Sequence, residues 1–410
     1  MQLTIPKKNN VNMLHVFTSI IVYGLMLWVM DYFGNIAYRK QYPQGIDGID
    51  LLANKKKGFM SMLTKSYNAI PIFVFCLFSA LRYRVGTDSV SYKSYFYEIK
   101  EYGRLLFDGA ELGFIFLSKL TSEFTNSHYL LFFILAFLQI VFIYYALRKT
   151  NYSLKYIGVS IMLSGFYLSL MNGVRQNIVA CAFVAMIPLI VEKKKWWLFV
   201  LAVFICSFMH KSAFFLLPLG LLSYYILSKG ILNIKIQLLI VALCYIMMDK
   251  INVSFLDAFF ALGENAGYTT ESIEAYTELD ETEKSFGLWA LILLVVKIFI
   301  ILYSKKIQQI TKNDKVFIIM YNLFFLGTCI KTLFYNNFTL GRLSYYLVVF
   351  QPVMLSIMLF ITSISKKRND KYIFNSSIFL LTLSFLYLLY KASGNLMIES
   401  TLYKFDLFQK

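Results

Sequence analysis

Apolar runs long enough to cross a bilayer recur along this chain, and they leave it few possible folds. The run from Leu130 to Leu147, LLFFILAFLQIVFIYYAL, carries no charge at all. In hydrocarbon there is no water to satisfy backbone N–H and C=O groups, so such a run closes its hydrogen bonds internally as a helix of about 20 residues. Twelve stretches qualify: 14–33, 67–82, 128–147, 154–171, 175–191, 196–209, 212–228, 234–249, 286–304, 315–333, 343–363 and 372–391. With 58% apolar and 15% charged residues, the composition is far from that of a soluble domain. The first run lacks a small-residue cleavage site and reads as a span rather than a signal peptide. The expected fold is all-α, a polytopic integral membrane protein with about 12 transmembrane helices forming one domain over residues 1–410.

The formal net charge of +17 invites a nucleic-acid reading, but its distribution argues for membrane topology. The loops at 34–66, 148–153, 192–195, 229–233, 305–314 and 364–371, with their flanks, hold 22 Lys and Arg against 6 Asp and Glu. The opposite side holds 17 of each, and Lys297 lies mid-span. The positive-inside rule makes the basic side cytoplasmic. The opposite face then carries two larger loops, 84–127 and 250–285. The first contains SYKSYFYEIKEYGRLL, patterned for a helix on the membrane surface, and the second is acidic and poor in apolar residues. No nucleic acid is expected as a partner. All five cysteines lie within apolar runs, without metal-like spacing.

Ionisable groups at the edge of hydrocarbon are costly and mark paired or functional sites. The expected topology puts four such places on the non-cytoplasmic face. They are Arg82, Arg84 and Asp88 in RYRVGTD; Arg175 and Gln176 after Asn172-Gly173; His210, Lys211 and Ser212 between two helices; and Arg342 at the start of a span. Converging arginines fit a phosphate-bearing ligand, because guanidinium keeps its charge when desolvated and forms a bidentate fork. Each residue also has a plainer reading: a headgroup anchor for Arg82, Arg84 and Arg342, a helix-break partner for Arg175, an interfacial group for His210, a cap for Asp88. No nucleotide loop, dinucleotide glycine pattern or paired-histidine metal motif is present. Neither a metal nor a cofactor is expected.

The order of these motifs resembles the EpsG-like family of Wzy-type polysaccharide polymerases. The resemblance rests on Arg82-x-Arg84-x-Gly86-Thr87-Asp88-x-x-x-Tyr92, then Glu111-Leu112-Gly113-Phe114, Asn172-Gly173-x-Arg175-Gln176, Phe208-x-His210-Lys211-Ser212-Ala213 and Gly341-Arg342-x-x-Tyr345-Tyr346. It spans about residues 65–365 and leaves out both termini and the acidic loop. It implies a metal-independent glycosyltransferase of the cytoplasmic membrane that joins undecaprenyl-diphosphate-linked oligosaccharide units at the outer face, making exopolysaccharide, capsule or O-antigen. Membrane lipids, a chain-length regulator and a flippase are the implied partners. In that reading Arg82, Arg84, Arg175, Gln176, Arg342 and Tyr92 bind diphosphate and glycan. His210 is the general base for the acceptor hydroxyl, with Asp88 the alternative, since histidine's ordinary titration lies nearest working pH. Three rivals use similar groups: a glycan ligase or other lipid-linked glycosyltransferase, a lipid-linked oligosaccharide flippase or transporter, and a membrane acyltransferase. A flippase needs charges along a path between faces, and an acyltransferase needs an acidic partner motif for its histidine.

Overall fold

The computed structural model describes residues 13–42, 59–86, 88–103, 111–148, 152–248, 250, 287–335, 344–394 and 399–406. Among them every regular element is a helix, apart from one isolated bridge between Arg82 and Phe405. In chain order these are α1 (Met13–Gln41), α2 (Phe59–Leu63), α3 (Ser66–Ala80), α4 (Ser89–Tyr102), α5 (Leu112–Phe124), α6 (Tyr129–Ala146), α7 (Ile157–Met162), α8 (Phe166–Met171), α9 (Val174–Val191), α10 (Trp196–Ser207), α11 (Leu216–Tyr225) and α12 (Ile234–Ile246). The second half continues with α13 (Leu288–Leu302), α14 (Ser304–Ile310), α15 (Lys315–Leu333), α16 (Tyr345–Val348), α17 (Gln351–Ile364) and α18 (Arg368–Gly394).

Seven of the described helices are long and apolar enough to cross a membrane, or eight if the bent pair α13–α14 is one span. The chain is therefore a polytopic membrane protein. Besides the bent pair, four of the expected stretches differ from simple spans. Helices α3, α10 and α12, at 15, 12 and 13 residues, reach about 20 Å at 1.5 Å per residue, short of a 30 Å core. The apolar stretch 154–171 is split, with α7 ending at Met162 and α8 beginning at Phe166.

Burial sorts the long helices. The apolar windows within Val174–Val191, Lys315–Leu333 and Tyr345–Ile364 are 72%, 72% and 83% buried, so these helices form the centre. Those of Met13–Gln41 and Arg368–Ser393 are only 33% and 28% buried. Their exposed Phe17, Ile21, Trp28, Phe379 and Leu383 make an apolar outer surface, the reverse of a soluble helix. The charge inside the first run also has its reason: Asp31 accepts hydrogen bonds from the N–H groups of Gly158 and Val159, at 2.7 and 3.3 Å, at the start of α7. Orphan donors at a helix start are satisfied there by a side chain from another helix.

Two features position the site. Helix α4 realises the amphipathic pattern read from the sequence, burying Ser89, Tyr92, Phe96 and Ile99. The C-terminal segment 399–406 folds back onto the turn after α3, with the Tyr83 N–H donating to Lys404 O (2.8 Å) and the Asp406 N–H to Leu81 O (2.9 Å). Of the acidic loop expected at 250–285, only Lys250 lies within the described residues.

Candidate active site

The site is built around a helix break. Helix α8 ends at Met171, Asn172 is extended, Gly173 sits at φ +56°, and α9 starts at Val174. Breaking the ladder frees carbonyls that must find donors elsewhere. Asn177 supplies them through Nδ2, which donates to Ser169 O (2.7 Å) and Asn172 O (2.5 Å). Gln139 on α6 donates to Leu170 O (2.9 Å) and Val174 O (3.3 Å). The freed donor, the Gly173 N–H, bonds to the Asp88 carboxylate at 2.8 Å. Asp88 thus ties the turn after α3 to the break. Gly86 makes the approach possible: it sits at φ +84°, and a Cβ there would lie 2.3 Å from Met171 O. Only glycine meets both conditions without strain.

Arg175, in the first turn of α9, points its guanidinium at Glu111, which precedes α5. One Glu111 oxygen takes the Arg175 Nη1 donor and the other lies 2.6 Å from His210 Nδ1. His210 sits on extended backbone between α10 and a short 3₁₀ turn at Lys211–Phe215. A backbone clamp sets this register, with the Gly113 N–H donating to Phe208 O at 2.7 Å. A Cβ on Gly113 would stand at the same 2.7 Å from that oxygen, so a side chain would pry Glu111 away from His210. Beneath the guanidinium lie the rings of Phe114 and Tyr92, at 5.5 and 5.7 Å.

Electrostatics fix the protonation pattern. Burial pushes the Glu111 carboxyl up, but the hydrogen bond from His210 and the Arg175 charge outweigh it and hold the group below the usual carboxylate range. An ionised carboxylate only accepts, so His210 Nδ1 must be the donor, and in the neutral ring Nε2 is then the acceptor. A carboxylate that orients a histidine and selects its tautomer is the arrangement of an activated base. Glu111 is buried, while the His210 and Arg175 side chains retain 20% and 19% of their exposure. Both can therefore meet a ligand.

The expected site residues divide. Arg175, Tyr92 and His210 come together, with Asp88 and Gln176 at the neighbouring break. Asp88, the alternative to His210 as base, caps the Gly173 N–H, a holding role. Tyr92 is buried and supports Arg175 instead of facing a glycan. Gln176 is likewise buried, in the first turn of α9. Arg82 is buried, donates to the carbonyls of Ser79 and Val85 and lies 4.5 Å from the Phe132 ring. Its guanidinium organises its own turn. Arg84 is exposed, at φ +54°. Arg342 lies outside the described residues. The described end of its motif does reach the third motif, because Ser212 Oγ and Tyr346 OH share a 2.6 Å hydrogen bond. Among the described residues no three His, Cys, Asp or Glu side chains gather in a metal-ligating group. Glu111 carries no role of its own in the sequence motif, although an acid opening an apolar helix is a usable signal.

The EpsG family model matches residues 66–405. The match reaches past the limit near 365 expected from the motifs and takes in the folded-back C-terminal segment. Comparison with curated proteins and with solved structures gave no match.

Proposed function

The chain belongs to the EpsG family, of polysaccharide-biosynthesis membrane proteins, and from that premise we propose that it is a polymerase of lipid-linked repeat units. The donor is a growing glycan on undecaprenyl diphosphate, and the acceptor is the non-reducing end of a new unit. The acceptor hydroxyl oxygen attacks the donor's anomeric carbon, the bond from that carbon to the phosphate oxygen breaks, and the diphosphate leaves with the electron pair. His210 Nε2 takes the hydroxyl proton, with Glu111 orienting the ring and stabilising the imidazolium. Arg175 stabilises the charge on the departing diphosphate, and the reaction needs no metal. The observation that carries this reading is the single carboxylate of Glu111 holding a histidine and an arginine side by side. That places a proton acceptor next to an anion stabiliser, the two requirements of glycosyl transfer from a diphosphate.

The test in cells is gel analysis of surface glycan in a strain lacking the gene. The proposal expects loss of the polymer ladder with single repeat units retained. Loss of all glycan indicates a transport or earlier step, and long polymer left unattached to its acceptor indicates a ligase. Both outcomes contradict the proposal.

The site faces away from the cytoplasm of the cytoplasmic membrane, a placement supported by the 22 basic against 6 acidic residues on the opposite side. Ser272→Cys in the acidic loop is expected to react with an impermeant thiol reagent in spheroplasts. Reaction only after lysis reverses the topology.

A further inference from the structure

A second basic cluster lies apart from the Glu111 centre. Arg82, Arg84, Ser89, Lys93, His128 and Asp406 help to line a pocket of about 210 Å³. Between it and the reaction centre runs one apolar cluster containing Tyr92, Phe96, Phe114 and Phe132. Arg175 lies over its Tyr92 and Phe114 rings, and Arg82 over its Phe132 ring. The pocket already holds an anionic group of the chain itself. The Asp406 carboxylate receives Lys93 Nζ at 2.8 and 3.0 Å and Tyr129 OH at 2.9 Å, with His128 Nε2 3.5 Å away.

The charges do not cancel. The lining holds three permanent cations, Arg82, Arg84 and Lys93, and one carboxylate, Asp406. Arg82 is itself only 3% exposed, and a buried cation favours an anionic neighbour. A net of two positive charges lining one pocket matches a phosphate-bearing dianion. The polymerase reaction also has two lipid-linked substrates, whose diphosphates are separated by the glycan of at least one repeat unit. One phosphate site next to the base does not hold both.

We propose that this pocket is a second phosphate site, which takes the diphosphate head of the lipid-linked acceptor, with the C-terminal Asp406 as the internal carboxylate that competes with it. The lipid assignment rests on the polymerase reading; the phosphate site itself does not. Backbone pairing of 404–406 with 81–83 holds Asp406 at the pocket independently of its side-chain charge.

The test is calorimetric binding to the purified full-length chain in detergent, in an Arg175→Gln background that removes the reaction-centre guanidinium. The probes are inorganic diphosphate and a short-chain prenyl diphosphate. Arg84→Gln and Lys93→Gln are each expected to weaken binding roughly tenfold, and Asp406→Asn to tighten it several-fold by removing the competing charge. Arg84 is exposed, so its loss does not endanger folding. Unchanged affinity in both Gln variants, or no binding of either probe, overturns the site. Tighter binding of the prenyl diphosphate supports a lipid head. Equal affinity for the two probes overturns that assignment in favour of soluble phosphate. Because no turnover is read, diphosphate binding by a chain that makes no polymer would refute the polymerase reading and leave the pocket standing.

Discussion

His210→Ala is expected to lower the rate of polymer formation by about 10²–10⁴-fold, the range for losing a positioned general base, while donor binding is kept. Glu111→Gln should fall in the same range, because the amide is neutral and no longer selects the tautomer with Nε2 free. The two residues act as one unit, so the double variant should be about as slow as the slower single one. Additive losses would mean that the groups work separately, and normal polymerisation by His210→Ala would place the base elsewhere. Acid sensitivity gives an independent readout. The Glu111 carboxyl is depressed in the folded state. Its contribution to stability is therefore present above the ordinary carboxylate pKa and lost as pH falls through the folded value. Melting curves of Glu111→Gln should lack that part of the acid loss.

The second large effect is at Arg175, where lysine separates two roles that alanine confuses. Arg175→Ala removes both the partner of Glu111 and the anion stabiliser. Arg175→Lys keeps a charge for Glu111 but not the planar fork that matches phosphate oxygens. If Arg175 stabilises the leaving diphosphate, the lysine variant should fold and insert normally yet lose turnover nearly as badly as alanine, about 10²-fold or more. Turnover restored by lysine would reduce Arg175 to a counter-ion for Glu111. Photo-crosslinking of a lipid diphosphate analogue to both variants distinguishes a binding defect from a chemical one.

The legible parts of this protein were those written locally. Long uncharged runs such as 130–147 dictate helices wherever they fall, and polar groups interrupting them, at Asn172–Gln176 and at His210, mark where the site assembles. Less legible was which of those groups meet. Glu111 is 64 residues from Arg175 and 99 from His210, and its role exists only because Gly113 lets α5 sit against the Phe208 carbonyl. Arg82 and Arg84 looked like a pair two residues apart. The turn between them instead buries one against backbone carbonyls and exposes the other, a separation set by the φ of +54° at Arg84. The stretch 154–171 reads as one continuous span because apolar composition does not register the break between α7 and α8, where Gly165 sits at φ +74°. The C-terminal segment carries no sequence pattern of its own. Backbone pairing with 81–83 and the ion pair from Lys93, 313 residues away, hold it in place, so its position at the second basic pocket becomes visible only in three dimensions.

The measurement closest to the central claim is turnover by the purified protein given lipid-linked repeat units in excess chelator. The account predicts a ladder of glycans at multiples of the repeat unit, with one undecaprenyl diphosphate released for each bond formed and no ladder from His210→Ala. A ladder abolished by chelation and restored by magnesium or manganese would contradict the metal-free mechanism. Absence of any ladder from active, correctly inserted protein, with the lipid-linked units unchanged, would contradict the polymerase itself.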